Sequence, residues 1–83
     1  MTISFSINYQ TQWGQSVVVL YAADADVHET AAPTVLKMEC HGTADWSAQL
    51  TISDIHRYLS YSYSVLNEQG EVLRREDVAH KID

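Results

Sequence analysis

Positive charge is scarce in this chain. Its 83 residues hold five lysines and arginines against eleven aspartates and glutamates, a net charge of −6. So few cations leave phosphate backbones and anionic lipid surfaces without a counterpart, which argues against nucleic acid and membrane as partners. No apolar run approaches the ~20 residues of a membrane-spanning helix. The opening Met1-Thr2-Ile3-Ser4-Phe5 lacks the basic start and long apolar stretch of a secretory signal. Cys40 stands alone, so no internal disulfide can form. These absences point to the cytoplasm, unless an address lies on a part of the protein beyond these residues. With three glycines, Gly14, Gly42 and Gly70, there is no glycine-rich phosphate loop.

What the chain does have is alternation. Residues 2–9 place Ile3, Phe5, Ile7 and Tyr9 on one face and Thr2, Ser4, Ser6 and Asn8 on the other, the period of a half-buried strand. Val17-Val18-Val19-Leu20-Tyr21 is apolar on both faces, as a central strand should be. Residues 22–33 lose all periodicity and read as a surface loop closed by Pro33, the only proline, with room for a helical turn. Val35-Leu36-Lys37-Met38-Glu39 is a short strand, followed by a turn from His41 to Asp45. Trp46, Ala48, Leu50 and Ile52 alternate with Ser47, Gln49 and Thr51. Ser53-Asp54-Ile55-His56-Arg57 is a connection. Leu59, Tyr61, Tyr63 and Val65 then alternate with Ser60, Ser62 and Ser64, whose hydroxyls should form the strand's solvent face. Asn67-Glu68-Gln69-Gly70 is a hairpin turn, with Gly70 where a left-handed residue is needed. Glu71 to Glu76 returns as the partner strand, and a weak last strand covers His80 to Ile82. The sum is one all-β domain over residues 1–83, an immunoglobulin-like antiparallel β-sandwich of six to seven strands with no helix.

Catalysis has little to stand on. Cys40 and His41 are sequence neighbours, but on a strand end they point apart, and Cys40 reads as a partly buried structural thiol rather than a nucleophile. His28, His41, His56 and His80 fall in separate loops or strand ends, without the close ligand pairs of a zinc site. Asp24-x-Asp26 begins like a calcium loop, but the glycine and terminal glutamate are missing, so both read as solvated loop carboxylates. No catalytic residue, metal site or cofactor is expected.

Thr11-Gln12-Trp13-Gly14-Gln15-Ser16 is different. It sets a large aromatic at a turn between two amides. Trp13 either folds back over the sheet edge as a lid on the core or stands out as a flat platform for a ligand. Sugars are held when the C–H face of a pyranose lies on an aromatic ring and neighbouring amides take its hydroxyls. Trp13, Gln12 and Gln15 supply both parts for a neutral ligand. Trp46 shares a face with Ala48, Leu50 and Ile52 and reads as core.

The run from Phe5 through Thr11-Gln12-Trp13-Gly14-Gln15-Ser16 to Val19 resembles the opening of the family 20 carbohydrate-binding modules, the starch-binding domains. Asp45-Trp46-Ser47-Ala48-Gln49-Leu50 is similar to the strand bearing that family's central tryptophan. Tyr61-Ser62-Tyr63-Ser64-Val65 with Gly70-Glu71-Val72-Leu73-Arg74-Arg75-Glu76 is similar to its late hairpin. The wording around Trp13 is nearest to the amino-terminal modules of disproportionating 4-alpha-glucanotransferases, the amylomaltase-like enzymes.

The resemblance implies a non-catalytic module that binds alpha-1,4-glucans or maltooligosaccharides and serves the adjacent domains of a larger cytoplasmic glucanotransferase. Trp13 matches the loop aromatic of one family glucan site. The other site needs two tryptophans and a lysine. Here the loop around Asp26-Val27-His28-Glu29 has no aromatic, Arg75 stands before Glu76, and Ser62 stands between Tyr61 and Tyr63. That second site is therefore missing. The alternative expectation is a degenerate module, kept for structural or interdomain contacts without sugar binding.

Overall fold

The computed structural model describes residues 2–29, 31–42, 44–52, 58–76 and 78–82. They form eight strands: β1 (Thr2–Asn8), β2 (Ser16–Ala23), β3 (Thr34–Lys37), β4 (Glu39–His41), β5 (Asp45–Thr51), β6 (Leu59–Leu66), β7 (Val72–Arg75) and β8 (His80–Ile82). No helix is present among the described residues, and none there is long and apolar enough to cross a membrane. All pairings are antiparallel. One sheet has the order β1-β5-β4; the other has the order β3-β2-β6-β7, with β8 also pairing β6. The expected sandwich is present. The connection expected at residues 53–57 lies outside the described residues.

The expected strand count falls one short because Val35 to Glu39 is not a single strand. The chain leaves the larger sheet at Lys37 and joins the smaller one at Glu39. Met38 makes the crossing, buried between the layers with its N–H donated to the Val17 carbonyl at 3.2 Å. One residue thus serves as the corner where a strand changes sheets.

Alternation decides the core. Ile3 and Phe5 of β1, Trp46 of β5, Val17 and Val19 of β2, and Leu59 and Val65 of β6 meet between the sheets. Phe5 meets Tyr61 edge to face at 4.9 Å between centroids, which places β1 over β6. Trp46 is buried as its face predicts, and its indole N–H is donated to the Tyr9 carbonyl at 3.1 Å.

One expectation fails on the outer face of β6. Ser60, Ser62 and Ser64 do not meet solvent; all three are buried. Residues 24–29 double back over the larger sheet and cap them. Val27, fully buried, donates its N–H to the Ser60 hydroxyl at 3.0 Å. The same cover explains why Val18, on that outer face, is buried. Polar-apolar alternation normally marks one wet face, but here the loop turns it into a second, small interior.

The loop is itself held by its aspartates. Asp24, at φ +56°, accepts the Tyr58 N–H at 3.2 Å, and Asp26 accepts the His28 N–H at 2.8 Å. The residues expected as free solvated carboxylates are exposed but hold turns. Cys40 also departs from expectation. It is exposed, because a three-residue edge strand leaves nothing to cover it, and its thiol is donated to the Gly42 carbonyl at 3.5 Å.

Candidate functional site

Gln12 to Gln15 is a β-turn closed by the Gln15 N–H on the Gln12 carbonyl at 3.1 Å. Gly14 has φ +84°, while Trp13 keeps a negative φ. That combination is a type II turn, and it explains why glycine follows the tryptophan. A second bond tightens it, from the Gln12 N–H to the Gln15 side-chain oxygen at 2.9 Å. Gln15 therefore spends its acceptor on the turn and keeps its amide donor. Gln12 is exposed with both groups of its side chain available to solvent.

Trp13 stands at the first corner of this turn, 98% exposed. The lid alternative is thereby excluded: the indole packs on nothing. Both faces of the ring are open on a backbone fixed by two hydrogen bonds.

A fourth residue joins the three expected ones. The β6–β7 hairpin turn lies beside the Trp13 turn, and the Glu68 side chain rests against Gly14, its Cγ 2.7 Å from where a Cβ would be. Asn67 holds that neighbouring turn by accepting the N–H groups of Gln69 and Glu71, each at 2.9 Å. Glu68 thus brings a carboxylate to the turn that carries Trp13. The sequence carried no local signal for it, because Glu68 lies in the β6–β7 hairpin turn, Gly14 lies in the connection between the two sheets, and the type II turn alone accounts for the glycine.

The positions that the resemblance assigns to the second glucan site behave differently. The loop around Asp26 to Glu29 and the late-hairpin position Arg75 do converge: an Arg75 guanidinium nitrogen lies 3.3 Å from His28 Nδ1. Neither is a tryptophan. Ser62, at the lysine position, is fully buried and faces the inside of the loop cover. Among the described residues, none of these positions carries the tryptophan that the resemblance assigns to the site.

A groove of about 320 Å³ lies elsewhere, between the end of β1 and β7, lined by residues that include Ile7, Tyr9, Tyr63, Val65, Arg74 and Glu76. Arg74 donates to the Tyr9 hydroxyl at 3.3 Å and lies over its ring. Glu76 accepts the Tyr63 N–H and bonds His80 Nε2 at 2.9 Å. Burial, with the neighbouring Tyr61 and Glu76, raises the Tyr63 phenol above its ordinary value of 10.0. Among the described residues no three His, Cys, Asp or Glu side chains gather as a metal site requires. Compared with known proteins, the chain matches no family model, and no curated protein or solved structure matches it significantly.

Proposed function

We propose that this domain is a non-catalytic carbohydrate-binding module. It takes alpha-1,4-glucans and maltooligosaccharides on Trp13 and serves an attached 4-alpha-glucanotransferase in the cytoplasm. The observation that carries this reading is an indole 98% exposed on a rigid turn, with Gln12 and Gln15 beside it and Glu68 against the same turn. A sugar ring stacks on the indole; the free Gln15 donor, the Gln12 amide and the Glu68 carboxylate are placed to take hydroxyls. One platform and a few hydrogen bonds bury little surface, so affinity is on the order of 0.1–1 mM. The similarity of the Trp13 stretch to starch-binding modules supports the same choice of ligand.

A second reading is a degenerate module that keeps the fold and uses Trp13 against a neighbouring domain. It is favoured by the second-site positions, where Ser62 is buried and Arg75 is bonded to His28. Titration with maltoheptaose or β-cyclodextrin, followed by amide NMR, separates the two. Shifts on residues 11–16 and Glu68 that disappear in Trp13→Ala support the glucan reading. No shift at ~10 mM ligand, well above the expected dissociation constant, rejects it in favour of the degenerate module.

A further inference from the structure

The smaller sheet is one strand too narrow for the larger. β4 follows β3 across the Met38 corner, β1 lies over β6, and among the described residues the inner side of β7, beyond β1, has no strand opposite it. Among the described residues β1 pairs with β5 alone, so alternate residues of this seven-residue strand turn their backbone groups to an edge with no strand partner there. That edge is also undefended. β3 carries Lys37, β4 Glu39, β7 Arg74 and Arg75, and β8 Lys81, charges that deter stray pairing. β1, Thr-Ile-Ser-Phe-Ser-Ile-Asn, carries no charge and no proline. The groove of about 320 Å³ runs beside it, with Ile7 and Tyr9 on one wall and Arg74 on the other. Arg74 bonds the Tyr9 hydroxyl and has no carboxylate partner among the described residues, in a chain of net charge −6.

We propose that β1 is the receiving edge for an extended peptide segment, which adds as a fourth strand to the smaller sheet and covers the inner side of β7. Backbone hydrogen bonds to β1 supply the affinity, and alternate side chains enter the groove. Those inward side chains are apolar, with a carboxylate at the position facing Arg74. A second copy of this chain fits poorly. Two β1 strands paired about a two-fold axis would bring each overhanging β7 into the space of the partner copy's β6. The overhang leaves room for a single strand.

The proposal is independent of sugar binding on Trp13. Its test uses the 83-residue chain and an acetylated, amidated peptide as long as β1, alternating valine with threonine and with one valine replaced by glutamate. The expected result is protection of alternate backbone amides in β1 against hydrogen exchange, with shifts on Tyr9 and Arg74. Arg74→Gln, or lysine for glutamate in the peptide, weakens binding by roughly three- to fivefold, the range of an exposed ion pair. Trp13→Ala leaves it unchanged. Absence of shifts at about 2 mM peptide overturns the proposal. So do protection confined to β3, dimerisation through β1 without peptide, or displacement of the peptide from the groove by maltoheptaose.

Discussion

Glu68 fills the space that a side chain at Gly14 would need. An added Cβ at Gly14 would lie 2.7 Å from Glu68 Cγ and 2.9 Å from its Cδ, and the backbone there has φ +84°. Gly14→Ala therefore carries two effects. The exposed Glu68 side chain can swing away at little cost, but the left-handed backbone costs an alanine about 1 kcal/mol. The expected outcome in urea denaturation is a loss of that size. The displaced carboxylate should also weaken any ligand held on Trp13, an effect that Glu68→Gln in a relaxed turn would reproduce only in part.

The two tryptophans should separate cleanly. Trp13 is 98% exposed and contributes no packing, so Trp13→Ala should change stability by no more than about 0.5 kcal/mol. Trp46 fills the space between the sheets and donates to Tyr9, so Trp46→Ala should cost about 3–5 kcal/mol. Chemical denaturation of both variants, with circular dichroism to confirm folding, checks the contrast.

The buried serines offer a finer one. Ser60 accepts the Val27 N–H, and Ser60→Ala leaves that buried donor without a partner, a loss of about 1–3 kcal/mol. Ser62 and Ser64 have buried hydroxyls with no partner among the described residues. Ser62→Ala should be neutral or stabilising by up to about 1 kcal/mol. Thermal melts of the two single variants should fall on opposite sides of the parent, or nearly so.

Tyr63 makes stability fall in alkali. Its phenol is raised above 10.0 in the fold, chiefly by burial. The neutral form is the one the fold prefers, so its contribution is complete below 10.0. It is lost as pH rises from there through the folded value. Tyr63→Phe should abolish that part of the decline, read as the urea midpoint measured from neutral pH to strong alkali.

Strand identities were legible because period-2 alternation survives in β1, β5 and β6, and because Val17 to Tyr21 is apolar on both faces. Trp46 was legible as core for the same reason. The outer face of β6 was not. Three serines alternate there as on a wet surface, and only the path of residues 24–29 makes them interior. No local pattern encodes a loop's return over a sheet. Trp13, Gln12 and Gln15 were legible as a candidate platform because glycine beside an aromatic marks a turn. Whether the ring lay on the core or stood clear depended on the type II geometry. Glu68 was invisible for a simpler reason: its neighbour Gly14 lies more than fifty residues away in the chain, in the connection from β1 to β2.

The order of the strands has a consequence for how the domain forms. Thr2 and Thr51 lie 49 residues apart in the chain yet face each other across β1 and β5. Ser16 faces Leu66 across β2 and β6 in the same way. During synthesis, β1 and β2 emerge first and must wait for most of the chain before either finds its central partner. Closing such long loops makes folding slow, on a scale of milliseconds to seconds. Through that interval the uncharged β1 is the segment most open to wrong pairing.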